Sequence, residues 1–199
     1  DVVAILRRRL EASQDSDDIE ASWLRIYDVL LSDCGQANEA EEALRSGLEA
    51  IPQSETLRAL KLAHIREHGT PQSLMNALSA EIELLADGQS EDALDRWGVM
   101  VRELATCAQE HGQSQQALRQ WLSLLQVEPT DDQAAQSVFD LLTATSLESL
   151  DEDASEALSG ALSLYEQRGE FDRLDLLMTL KASSLTGDEL TALLRKQAD

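Results

Sequence analysis

Apolar positions in this chain recur at steps of three and four, the spacing of one helix face. Leu24, Tyr27 and Leu31 do so ahead of Gly35. Val101, Leu104, Ala105 and Ala108 do so ahead of Gly112, and Ala135, Val138, Phe139 and Leu142 follow Asp131–Asp132. No run of alternating β-branched and aromatic residues is long enough to predict a strand. The pattern predicts about eleven helices. The first is expected over 2–12, where Leu6 and Leu10 share a face, and others over 91–110, 114–127, 154–168 and 171–183. The last is expected over 188–196. Asp15, Asp17 and Asp18 read as a turn and the start of the second helix.

The punctuation of these helices repeats. Gly35, Ala40, Leu44 and Pro52 stand at steps of five, nine and seventeen from the glycine, and Gly112, Ala117, Trp121 and Pro129 stand at the same steps. Gly69 lies 34 residues after Gly35, with Leu74 and Leu78 in the matching places, and Gly169, Leu174 and Met178 repeat the steps of five and nine. Each glycine is expected to end a first helix. The small residue after it lets a second helix approach closely. Each proline closes the hairpin, because it has no N–H to donate. Thr70 and Pro71 read as N-cap and first residue of the helix after Gly69. Gly112 follows Gly69 by 43 residues, so this copy carries extra residues near 89–97.

A period of this length carried by helices is the signature of stacked helical hairpins. The expected organisation is a single helical-repeat domain over 1–199: a half repeat over 1–20 and repeats over about 21–54, 55–88 and 89–131. An irregular stretch over 132–154, a hairpin over 155–188 and a partial helix over 189–199 complete it. Half-repeats at both ends suggest a segment of a longer array.

These residues resemble the tetratricopeptide repeat family. The copy formed by Val101, Leu104, Ala105, Ala108, Gly112, Ala117, Trp121 and Pro129 fits the family pattern of small and large residues. The copy ending at Pro52 departs from it at Asp28, where a small residue is favoured. The copy around Gly69 departs at Arg58, Lys61, Leu74 and Ala86. The resemblance implies an all-α fold, a right-handed α-solenoid of stacked antiparallel helix pairs. It also implies a concave groove, lined by first helices, that binds a peptide or protein segment. Projecting the pattern places Arg25, Val29, Ser32, Ala59, Ala63, Arg66, Arg102, Thr106 and Gln109 in that groove. The set of Lys, Asn and Arg with which some members grip a terminal carboxylate is largely missing, since Arg25, Val29, Leu60, Val99 and Glu103 hold its places.

Charge narrows the choice of partner. The formal net charge is −22, with 16 Lys and Arg against 38 Asp and Glu. A nucleic-acid backbone or an anionic membrane would repel such a chain. The acidity serves solubility, or attracts a basic partner. In so acidic a chain, Arg25, Arg66 and Arg102 read in two ways. They make the groove locally basic and suited to an acidic or C-terminal segment, or they pair with acidic residues on their own helices. No apolar stretch approaches the roughly 20 residues that span a bilayer. Cys34 and Cys107 are too far apart in sequence for a metal-ligand cluster. Both read as small buried apolar residues, in keeping with a reducing, cytoplasmic setting.

Catalytic chemistry is scarce. No Gly-rich phosphate loop and no nucleophile elbow is present. His64, Glu67 and His68 spell H-x-x-E-H, a zinc-peptidase pattern in which residues four apart share a helix face. The repeat argues for another reading: Glu67–His68–Gly69 recurs as Glu110–His111–Gly112, which puts the histidine at a helix C-terminus, facing the last carbonyls. Trp121 is expected in the core and Trp97 at the irregular junction. The chain is therefore expected to be a protein-binding scaffold without catalytic residues, metal or cofactor. The alternative is a regulatory or substrate-recognition module of a larger enzyme.

Overall fold

The computed structural model describes residues 2–86, 90–144 and 152–184. Among them every regular element is helical: α1 (Val2–Ala12), α2 (Ser16–Asp28), α3 (Ala37–Ala50), α4 (Glu55–His68), α5 (Pro71–Ala86), α6 (Glu91–Glu110), α7 (Ser114–Val127), α8 (Asp132–Ala144), α9 (Glu152–Arg168) and α10 (Phe171–Ser184). The helix expected over 188–196 and the turn expected at Asp87–Gly88 lie outside the described residues. The chain divides into two compact units, Asp1–Ala77 and Leu78–Asp199, with the division inside α5.

In the first unit α1 packs on α2, α2 on α3, and α3 on α4. Ile26, Tyr27 and Leu30, then Ala40, Ala43 and Leu44 from α3 and Leu57 from α4 form the core, with Leu6 and Leu10 packed against it. Asp15 caps α2 by accepting from the Asp17 N–H, and Asp17 and Asp18 fill the first turn beside the helix dipole. Gly47 fixes how closely α3 approaches its neighbours: a Cβ there would stand 3.1 Å from both Trp23 and Leu57.

In the second unit α7 is the central helix, packed on α6, α8 and α9, and α9 also packs on α10. Val101, Leu104, Ala105 and Ala108 of α6 meet Ala117, Leu118, Trp121, Leu124 and Leu125 of α7 in the buried layer. Tyr165 of α9 is fully buried and donates its hydroxyl hydrogen to the Ala135 carbonyl of α8. That bond satisfies a polar atom which would otherwise be desolvated without a partner.

All four repeated glycines follow a first helix as their spacing predicts, and three of them take the left-handed conformation. Gly35, Gly112 and Gly169 have φ of 65°, 73° and 69°, the left-handed conformation an L side chain resists. After Gly112 and Gly169 the turn is a Schellman cap, with the Gln113 N–H on the Ala108 carbonyl and the Glu170 N–H on the Tyr165 carbonyl. Gly69 differs. Its φ is −82°, and glycine is needed there because a Cβ would fall 2.5 Å from the Ile65 carbonyl oxygen and 2.7 Å from Ser73 Oγ. Thr70 caps α5 reciprocally with Ser73: each hydroxyl accepts from the other's backbone N–H, at 3.1 and 2.8 Å.

The turn at Gly35 carries one more residue than its counterparts. Val29–Asp33 is π-helical: the Cys34 N–H reaches back five residues to the Val29 carbonyl, and the Gln36 N–H reaches six, to Leu30. This inserts one residue into the first helix of the hairpin. Gly35 and Gly112 are 77 residues apart, yet buried Ile26, Tyr27, Val29 and Leu30 match buried Leu104, Ala105, Cys107 and Ala108 at a separation of 78. Tyr27, not Asp28, therefore holds the place of Ala105. The departure read at Asp28 is a consequence of register, and Asp28 is exposed. Removing exposed Asp33 is expected to convert this segment to regular α-helix with the core register intact. The midpoint of urea unfolding should change by less than about 1 kcal/mol equivalent, whereas the same deletion at Glu110 should turn the whole apolar face of α6 out of register.

Candidate functional site

The residues projected onto a groove fall on three helices, two in the first unit and one in the second, and each face stands by itself. On α4, Ala59, Ala63 and Arg66 lie at steps of four and three, hence on one face, and all three are exposed. Leu57, Leu62, His64 and Ile65 of the same helix are buried, so α4 is divided into a core side and a free side.

On α2 the projection is displaced. Val29 is 6% exposed and belongs to the core, in the place Cys107 holds in α6. The cause is the inserted residue, which moves every position upstream of the π segment by one. The residues that match Arg102 and Thr106 are Leu24 and Asp28, and Arg25 matches Glu103. Arg25 and Ser32 are exposed as expected, but they converge on Asp28: Arg25 forms an ion pair with one carboxylate oxygen, and Ser32 Oγ donates to the other at 3.2 Å. Pairing within the helix is thus what Arg25 does, and an ion pair more than half exposed adds little stability.

On α6, Thr106 and Gln109 are exposed and Arg102 is half-buried. Arg102 donates from Nε and Nη2 to Asp131 Oδ2 at 3.0 and 2.8 Å, and from Nη2 to Glu128. Asp131 Oδ1 meanwhile accepts from the Ala134 N–H at 2.8 Å and caps α8. Burial opposes ionisation of Asp131, but the Ala134 N–H and the guanidinium outweigh it and hold the carboxyl below its ordinary range. Arg102 is therefore a tie between α6 and the α7–α8 turn. Arg168 grips the same turn from α9, donating to the Pro129 carbonyl and to Asp132. Gln109 also has an inward role, since its Oε1 accepts from buried Trp121 Nε1 at 3.2 Å. Arg25 and Arg102 thus have acidic partners, and Arg66 lies on the exposed face of α4.

The H-x-x-E-H histidines are placed by packing. His64 is 3% exposed, its Nδ1 is 3.3 Å from the Tyr27 hydroxyl, and its ring meets Tyr27 edge-on at 5.6 Å. The His68 ring lies 4.8 Å from that of His64. Among the described residues no group of three or more His, Cys, Asp or Glu could hold a metal ion. His111 does what the repeat predicts and donates from Nδ1 to the Cys107 carbonyl at 2.8 Å in the last turn of α6. Cys107 is buried, and burial pushes its thiol pKa up. Cys34 departs from the expected burial, because the π segment carries it past the packed face into the exposed turn.

One feature lies away from the projected residues. An open cleft of 770 Å³ runs between α7 and α9, with Arg119, Ser123 and Gln126 on one wall and Ser159, Ser163 and Gln167 on the other. The serines at a step of four on α9 are its sequence signal, and the groove projection, which ends at Gln109 of α6, does not reach them. Among the described residues no helix is long and apolar enough to cross a membrane.

No protein-family model and no curated protein matches this chain. Among solved structures, a tetratricopeptide repeat protein from Parabacteroides merdae is similar over 94% of this chain and 76% of its own. The identity is 16% and the TM-score 0.42. The helical-repeat architecture stands on the hairpins themselves: the glycine turns, the small residue after each and the buried seams they create.

Proposed function

We propose that this chain is a protein-binding helical-repeat segment that acts by contact rather than catalysis, and that the exposed face of α4 is part of its binding surface. The observation that supports this most is the division of α4. Ala59 and Ala63 leave backbone-close space on the free side, and Arg66 follows one turn on as an exposed cation. Small residues beside an arginine suit an extended or helical peptide segment with an acidic group, and few large anchors favour modest, exchangeable affinity. The surface as a whole is acidic, so nucleic acid is disfavoured as the ligand. The fold type supports the same reading, because stacked hairpins bury one side of each helix pair and leave the other for contacts.

Selection of a random peptide library on the wild-type chain, followed by titration against an Ala59→Glu/Ala63→Glu variant, tests this. Both substitutions are exposed helix positions that accept glutamate with little loss of helix propensity. Selected peptides are expected to lose affinity by tenfold or more on the variant while its far-UV circular dichroism is unchanged. Equal binding to both proteins would remove α4 from the site. Arg102→Glu is a poor probe of the same idea, because it would break the tie to Glu128 and Asp131 rather than alter a free face.

A further inference from the structure

His64 is a buried titratable side chain whose surroundings bring three helices together. It comes from α4, the Tyr27 hydroxyl of α2 stands 3.3 Å from its Nδ1, and α3 packs alongside with Ala37 and Glu41 close enough to influence its proton. The phenol hydroxyl can donate to Nδ1 or accept from it by rotation, so what opposes a second proton is the setting of the ring: it is 3% exposed, and a buried charge is costly. A second proton would turn that buried ring into a cation. It would also place a charge 4.8 Å, ring to ring, from His68.

We infer that the His64–Tyr27 contact is a proton-sensitive joint of the first unit, holding α4 against α2 and the start of α3 while the imidazole is neutral and loosening when it is protonated. The consequence is conformational: the exposed faces of α2 and α4 keep a fixed spacing at neutral pH and lose it on mild acidification. The inference stands apart from the identity of whatever binds those faces.

The groups facing His64 are Tyr27 on α2, Glu41 on α3, and Glu67 and His68 on α4. Burial is the largest influence and, with His68, pushes the imidazole below its ordinary value. The two glutamates and the Ala37 carbonyl act the other way without overcoming it. The folded state therefore binds this proton less readily than the unfolded state does. Stability contributed by the neutral ring is complete above about pH 6.5 and is lost as pH falls below it.

The test is residue-resolved hydrogen exchange on the full chain between pH 7.5 and 5, corrected for the intrinsic pH dependence of exchange, alongside NMR titration of the His64 ring. Protection in α2, α3 and α4 is expected to fall by up to tenfold per pH unit below about pH 6.5, the slope of one proton. The His64 ring should titrate below the ordinary histidine range. His64→Gln should abolish the pH dependence whatever its effect on absolute protection. His68→Gln, at an exposed position, should raise the His64 titration and shrink the fall, which keeps the test available if the first variant does not fold. Flat protection in the wild type, an ordinary His64 titration, or a fall of equal size in either variant would overturn the joint.

Discussion

Trp121→Ala is expected to lower the stability of the second unit by about 3–5 kcal/mol. Trp121 is 1% exposed and heads the residues that are both large and fully buried. It sits on α7, the helix that packs on α6, α8 and α9, so a void there is shared by several seams. Those seams cannot collapse together, because each is set by a neighbour held elsewhere: Arg102 ties α6 to the α7–α8 turn, and Tyr165 ties α9 to α8. The substitution also leaves the Gln109 amide without its indole partner, but Gln109 is exposed and water replaces that bond at small cost. Trp121→Phe separates the two contributions. It keeps most of the buried ring and loses only the indole N–H, and is expected to cost well under half as much. Hydrogen exchange of α6, α7 and α8 amides under native conditions measures both. Trp121→Ala should bring their slowest-exchanging amides down by two to four orders of magnitude. A loss comparable to that of Trp121→Phe would show that the core relaxes around the missing ring.

The parts of the fold that were legible in the sequence are those with backbone punctuation. The bounds of α6 and α7 follow from apolar periodicity between serine starts and glycine or proline stops. The Trp121 core position follows from its place in the repeated phrase. The π segment was not legible, because Val29–Asp33 contains no glycine or proline to mark it. An inserted residue inside a continuous helix leaves the periodicity on each side intact and changes only the phase between them. That one unseen residue accounts for the misplacement of Val29 and for the anomaly at Asp28. The fate of Arg102 was hidden for a different reason. A search for partners three or four residues away on the same helix cannot find Glu128 and Asp131, which lie beyond the next helix. The exposed face of α4 was legible because α4 carries no such insertion between Ala59 and Gly69.

Asp131→Ala is expected to cost about 2–4 kcal/mol, because one carboxylate performs two tasks that are usually divided between residues. Oδ1 caps α8 and Oδ2 holds Arg102, so the substitution uncaps a helix and leaves a half-buried guanidinium with Glu128 alone. Asp131→Asn keeps an oxygen for the cap and weakens the ion pair. It is expected to cost less than half as much. Combining Asp131→Ala with Arg102→Ala should cost less than the sum of the two, since the second change removes the charge that the first left unpaired. The same carboxylate predicts acid sensitivity of a definite sign. Its folded-state pKa is depressed, so its contribution is present above the unfolded value of about 3.9 and is lost as pH falls through that range. Urea unfolding at pH 7 and pH 3 should therefore show a smaller penalty for Asp131→Ala at the lower pH. His64 lies in the other unit and its loss begins below the ordinary histidine value, so the two acid responses separate: protection in α2–α4 should fall first, and protection in α6–α8 only once Asp131 begins to bind its proton. An equal penalty at both pH values would mean that Asp131 acts through packing alone, and the α6–α8 tie would then rest on Glu128.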